Sequence, residues 1–149
     1  MLKAWFKKYL ESRLRLTAYN GNDKKEARQH THFVLFPPNS RFNMTVNQIM
    51  DRPEWYKGVL HNHPWFNLSI ILKGGYWEKS EKEVKWYGPG SIIFRTAKQY
   101  HCIWIKDGQE AWTLFFHGPA VKKGFDFMQD GQPTTPEELG LPRGVLTQK

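Results

Sequence analysis

From residue 30 to residue 116 the chain is a succession of short runs rich in β-branched and aromatic residues, each closed by a turn signal. This pattern restricts the fold more than any other feature. The runs are HTHFVLF (30–36), RFNMTVNQIM (41–50), FNLSIILKG (66–74), EVKWY (83–87), SIIFR (91–95), HCIWIK (101–106) and AWTLFF (111–116). Between them stand FPPNS, MDRPEW, SEKE, YGPG, KDGQE and HGP. In these segments Pro fixes φ, Gly opens positive φ, and Asn, Asp or Ser closes local hydrogen bonds. No helical period of apolar residues interrupts the runs. Short strands so spaced predict an all-β sandwich, jelly roll or small barrel and exclude a parallel α/β fold.

At 149 residues the chain can bury roughly two-thirds of its unfolded surface without disulfides or a structural metal, so a single domain is expected over 1–149. The strand-like runs assign 30–119 to a β-barrel core, with 1–29 as an N-terminal helix and loop and 120–149 as a C-terminal tail. Leu2, Trp5, Phe6, Tyr9, Leu10 and Leu14 recur near i, i+3, i+4, i+7 spacing, which predicts an amphipathic helix over 2–16. Such a helix would cap a barrel end or sheet face; a dimer contact and a basic membrane-surface helix are the alternative roles. NGNDKKEARQ (20–29) predicts an exposed loop. In the tail, TPEELG offers Thr135 as N-cap, Pro136 at the first helical position, Glu138 to complete a capping box and Gly140 as a stop. One short helical turn is predicted there.

The formal net charge of +8 and pI near 9.6 would attract polyanions. The basic residues are scattered over both termini, however, and no DNA- or RNA-binding motif accompanies them. A solvated basic surface is the plain reading, with nucleic-acid binding as an alternative. Cys102 is the single cysteine, which rules out an internal disulfide and a Cys-based zinc cage and suits a reducing compartment, so a cytoplasmic location is expected. MLKAWFKKYLESRLRL carries charges throughout, unlike a signal peptide or a spanning helix.

Chemistry concentrates in HNHPWFNLSIILKGGYW, residues 61–77. Alternate side chains of an extended segment share a face, so His61 and His63 form a geometrically ready bidentate chelator. Alone, the pair is weak evidence, because histidines near strand ends are usually surface or hydrogen-bonded core residues. A metal site needs a further ligand from a neighbouring strand, and His101, at the opening of HCIWI, is the candidate.

LHNHPWFNLSIILKGGYWE, WYGPGSIIFRTAKQYHCIWI and AWTLFFHGP together resemble the small cupin proteins of bacteria and phages, many of which share an H-D-H-P-W segment, a G-G-Y turn and a P-G-S strand. The resemblance covers roughly residues 41–119. It implies a cupin double-stranded β-helix, a jelly-roll barrel, carrying the N-terminal helix and the short C-terminal helical turn. It further implies a divalent transition metal (Fe, Zn, Mn, Ni or Cu) on His61, His63 and His101, with Gly74 and Gly90 at the glycine positions. The position of the family's glutamate falls on Asn67. Three neutral imidazoles then stand without the carboxylate, and Asn67 is left to orient a ligand or substrate. His117, at the end of the last strand-like run, is a further imidazole near the barrel mouth. The function implied is metal-assisted chemistry on a small molecule in the barrel cavity, of oxygenase or isomerase type, and a homodimer formed through the sheets.

Trp65, Ser69, Tyr76, Arg95, Trp112 and Phe115 are the residues that would line a pocket beside the metal if they do not simply fill the core. Arg95 could grip an anionic ligand, or pair with Glu78 or Glu83. Cys102 should face away from His101. No Ser-His-Asp triad, P-loop or Rossmann glycine pattern is present, and the consecutive letters HNH are not the dispersed residues of HNH nucleases. A non-catalytic small-ligand-binding module and a basic-surface interaction protein are the alternatives to an enzyme.

Overall fold

The structure, a computed structural model, describes residues 14–16, 30–34, 41–50, 58–106 and 108–140. The regular elements among them are strands: β1 (Leu14–Leu16), β2 (His30–Val34), β3 (Asn43–Met50), β4 (Leu60–His61), β5 (Asn67–Lys73), β6 (Tyr76–Ser80), β7 (Val84–Tyr87), β8 (Ile92–Arg95), β9 (His101–Trp104), β10 (Glu110–His117), β11 (Phe127–Gln129) and β12 (Gln132–Thr134). They form two six-stranded sheets, ordered β1-β2-β3-β10-β5-β8 and β12-β11-β4-β9-β6-β7. Strand neighbours in both are antiparallel.

Alternation decides which side chains enter the space between the sheets. Asn67, Ser69 and Ile71 of β5, Ile93 and Arg95 of β8, and Ala111 and Thr113 of β10 are buried. Their intervening neighbours are less buried or exposed, as period-2 geometry requires. Ile49, Ile71, Tyr76, Ile93, Ile103, Ile105 and Ala111 pack into one apolar cluster. Each fully buried isoleucine contributes about 1.5–3 kcal/mol relative to exposure.

Further along the same strands the inward residues turn polar. Asn67 stands opposite both Arg95 and His117, and in the other sheet His101 stands opposite both His61 and Ser80. The interior is thus apolar at one level and polar at the next. Leu60 and Cys102 bury on the other face of their sheet with Tyr100, Trp104 and Met128 packed against them, so Cys102 does face away from His101.

The strand-like runs of the sequence become β2, β3, β5, β7, β8, β9 and β10. Three departures follow from local physics. Leu14–Leu16, expected at the end of a helix, is a strand paired with β2; apolar-basic-apolar alternation serves a strand edge as well as a helix end. Residues 2–13 of the expected helix and the expected loop 20–29 lie outside the described residues. YWEKS, after the Gly74–Gly75 turn, is the strand β6, hydrogen-bonded on both sides. Part of the region read as a C-terminal tail supplies β11 and β12, which extend the second sheet beside β4.

The capping box at Thr135 forms: Glu138 accepts from the Thr135 amide at 2.9 Å, and Thr135 Oγ1 accepts from the Glu138 amide at 3.3 Å. Leu139 N–H then bonds the Thr135 carbonyl at 3.1 Å, closing one helical turn before Gly140. Among the described residues no helix is long and apolar enough to cross a membrane.

Two glycines singled out in the sequence differ in what they need. Gly74 has φ 71°, and a Cβ there would lie 2.0 Å from the Glu110 carbonyl oxygen. Gly90 has φ 86° with nothing within 4 Å of such a Cβ. Gly90→Ala should therefore cost only the backbone term, about 1–2 kcal/mol. Gly74→Ala should cost clearly more, because the β5 and β10 backbones must also separate. Urea unfolding of the two variants checks the order.

Candidate metal centre

Sheet register assembles the histidines. His61 closes β4 and pairs directly with His101, which opens β9. His63 follows two residues later, beyond the strand and just before Pro64. One nitrogen from each of His61, His63 and His101 lies within 4.8 Å of the others. The Nε2 atoms of His63 and His101 are 3.0 Å apart, and the ring centroids are separated by 4.9 to 5.2 Å. His61 and His101 are buried and His63 is half-buried.

Three imidazole nitrogens on one tetrahedral ion, with metal–nitrogen bonds of about 2.0–2.1 Å, sit roughly 3.3 Å from one another. The His63–His101 separation of 3.0 Å matches that spacing, and the third nitrogen, within 4.8 Å, would have to close in on it. Its donors are chemically uniform: neutral imidazoles, which suit first-row transition metals better than hard oxygen-seeking cations.

Aromatic rings wall one side. His63 lies 5.1 Å from Phe125, 5.8 Å from Trp65 and 6.5 Å from Phe115, centroid to centroid. Phe125 belongs to the segment between β10 and β11, and a residue that sequence reasoning passed over pins that segment down. Asn62 donates its side-chain amide to Asp126 Oδ2 at 3.0 Å, while its own Oδ1 accepts from the Asp126 backbone N–H at 2.9 Å. The Asn62 N–H also bonds the Asp126 carbonyl at 3.1 Å. Lys122 bonds both Asn62 Oδ1 and Asp126 Oδ2. Lys122 and Asn62 together hold the Asp126 carboxyl below its ordinary range. The signal lay within HNH itself, where an amide between two ligands can both donate and accept toward a loop.

The other side is ionic. Arg95 is 4% exposed and forms a two-pronged pair with Glu78, through Nε to Oε1 at 3.1 Å and through Nη2 to Oε2. Its remaining donors reach Asn67 Oδ1 at 3.2 Å, Ser69 Oγ at 3.4 Å and Tyr76 Oη at 3.2 Å. Glu78 Oε2 also lies 3.4 Å from His101 Nδ1. That is longer than the roughly 2.7–3.2 Å of a well-formed N–H···O bond but within ion-pair reach. A cavity of about 370 Å³ abuts this pair, lined in part by Lys82, Lys98, Gln99 and Tyr100; none of the three histidines lines it.

The sequence-predicted residues therefore take distinct places. His61, His63 and His101 converge. Asn67 is fully buried and holds Arg95, with its Nδ2 lacking a partner among the described residues. Ser69 and Tyr76 are buried acceptors for Arg95, so Arg95 is saturated by protein groups and has no donor left for a ligand. His117 packs against Trp65, with ring centroids 4.3 Å apart and planes tilted by 30°, and is not part of the three-histidine group. Burial pushes its imidazole below the ordinary value, against the Gly118 carbonyl beside it. Phe115 borders His63. Trp112 alternates with buried Ala111 and Thr113 and so points away from the interior, where it helps hold the Glu110 carboxyl below its ordinary range.

No family model and no curated protein matches the sequence. Solved structures do match. One is the cupin domain of Cnp3 from Schizosaccharomyces pombe, at TM-score 0.52 and 15% identity over 63% of this chain and 67% of that one. The chain has the cupin fold. The chain is also similar to the polyketide cyclase RemF from Streptomyces resistomycificus, at TM-score 0.51 and 20% identity over 64% of this chain and 72% of that one. The DMSP lyase DddQ from Ruegeria pomeroyi matches at TM-score 0.56 and 17% identity, over 75% of this chain and 58% of the lyase chain.

The surroundings of the three histidines generate two predictions. Asn62→Ala should free the 118–126 segment at a cost of about 1–3 kcal/mol, seen as faster hydrogen exchange there with β5 and β10 unchanged. Burial alone would raise the Glu78 carboxyl, but His101 and Arg95 outweigh it and hold the group at about 2 against an ordinary 4.5. A group depressed in the folded state stabilises fully above its unfolded value and loses that contribution as pH falls through the folded one. Stability should accordingly decline between about pH 4.5 and 2. Urea titrations across that window should show the decline flattened, at lower overall stability, in Glu78→Gln.

Proposed function

We propose that the protein binds one divalent transition metal through His61, His63 and His101 and uses it on a small molecule. The observation that carries the reading is the convergence of one nitrogen from each histidine within 4.8 Å, two of the rings being buried. Iron, zinc, manganese, nickel and copper all suit the donor set. When bound, such an ion supplies Lewis acidity that polarises a substrate oxygen.

The chain's own residues divide the remaining work. Trp65, Phe115 and Phe125 exclude water from the His63 side and favour an apolar or planar portion of a ligand. Asn62, Asp126 and Lys122 keep that wall closed. Glu78 and Arg95 fix a charge pair on the opposite side. The cavity of about 370 Å³ beside this pair is of a size that small-molecule sites occupy, about 300–1,000 Å³, and is reached from the three histidines only across Glu78 and Arg95, since none of them lines it. The names of RemF and DddQ, a cyclase and a lyase, support an enzyme among the readings open to this fold, although fold alone does not fix an activity.

Elemental analysis of the purified protein, after loading and removal of excess metal, tests the site. Wild type should retain close to one equivalent, and His61→Ala and His101→Ala should each lose most of it with folding intact by circular dichroism. Equal metal in wild type and variants would remove the proposal.

A further inference from the structure

We infer that Glu78 is the carboxylate of this metal centre, acting as a positioning residue through His101 rather than as a ligand. The inference rests on the metal-binding reading above and adds a function for a residue outside its ligand set.

The argument begins with the two nitrogens of His101. Its Nε2 faces Nε2 of His63 at 3.0 Å, inside the cluster, and its Nδ1 faces Glu78 Oε2 at 3.4 Å. A carboxylate only accepts hydrogen bonds, so a proton on Nδ1 is favoured and the lone pair is left on Nε2, where an ion would need it. Carboxylate-to-histidine contacts of this kind fix both tautomer and ring orientation at metal centres.

Sheet register makes the contact. Glu78 stands opposite Ile103 on β9, with His101 two residues along the same inward face. Glu78 is 8% exposed, and Arg95 holds both of its oxygens. With both oxygens engaged and the carboxylate absent from the cluster of converging ligand atoms, Glu78 reaches the ion only by way of the imidazole.

Asn67 completes the reasoning. It occupies the position at which the resemblance called for a carboxylate, yet its Oδ1 accepts from Arg95. The residue that replaces the family's acid thus supports the guanidinium that steadies the acid on β6. A second carboxylate at 67 would compete with Glu78 for Arg95; an amide oxygen shares it without adding charge.

The test has two arms. Long-range proton–nitrogen NMR of the metal-free, ¹⁵N-labelled protein near neutral pH should show His101 as the Nδ1–H tautomer. Competition between the protein and a chelator for Zn²⁺ should show Glu78→Gln binding about 10- to 100-fold more weakly than wild type, with the Nδ1–H preference of His101 lost in that variant. A wild-type His101 carrying its proton on Nε2 overturns the inference, and that measurement stands even if Glu78→Gln does not fold. Unchanged Zn²⁺ affinity and tautomer in a folded Glu78→Gln overturn it too, while leaving the metal site intact. Wild type that binds no Zn²⁺ but shows the Nδ1–H tautomer removes the metal reading and retains the Glu78–His101 relation.

Discussion

A guanidinium buried between two sheets is the constraint on which the rest of the interior depends. Arg95 projects from β8 of one sheet and meets Glu78 and Tyr76 from β6 of the other. An unpaired cation there would cost several kcal/mol in lost hydration, so every donor must be matched. The five hydrogen bonds recorded for its side chain use acceptors on Glu78, Asn67, Ser69 and Tyr76. That requirement explains why inward positions of three different strands are polar where a barrel would ordinarily bury aliphatic groups. Replacing either partner alone strands the other charge, which makes the pair a device for fixing geometry more than for adding stability.

The pair also marks the boundary between the two halves of the barrel. On one side Ile71, Ile93, Ile103 and Ile105 form a dry cluster that tolerates no polar group without a partner. On the other stand the three imidazoles, with Glu78 against His101 and the aromatic rings of Trp65, Phe115 and Phe125 around His63. Tyr76 belongs to both halves: its ring packs in the apolar cluster and its hydroxyl accepts from Arg95. Burial drives its hydroxyl above the ordinary value, while Arg95 works against the shift.

What the sequence disclosed follows the range over which each interaction acts. Strands such as β5 and β10 were legible because alternation is local and their inward residues recur every second position. The histidines were legible because two of them share HNH and the third opens an aromatic-rich run. β4 was not, being only Leu60 and His61, too short for any period. β6 was obscured by the glycine pair before it and by Glu78, a charged residue at an inward position whose burial makes sense only once Arg95 is known to lie across the barrel. β11 and β12 hid in a tail of turn-forming residues, since their place beside β4 is decided by tertiary pairing and not by propensity. The side of Trp112 was left open by register alone, one residue being enough to turn a side chain from pocket to exterior.

The same reasoning changes the meaning of Asn67. Viewed along the sequence, an amide where a carboxylate is expected is a missing ligand and a loss of negative charge. Viewed across the sheets, a buried carboxylate stands on β6 instead, as Glu78, 3.4 Å from the imidazole of His101. The formal charge contributed by Glu78 is then balanced by Arg95, so an ion on the three histidines would keep more of its positive charge than one bound by an anionic ligand. A more electron-poor ion polarises a bound oxygen more strongly and holds anionic groups more tightly. The amide at 67 and the carboxylate at 78 lie eleven residues apart in sequence and meet on a single guanidinium, so a change at either reaches His101 through Arg95 and Glu78.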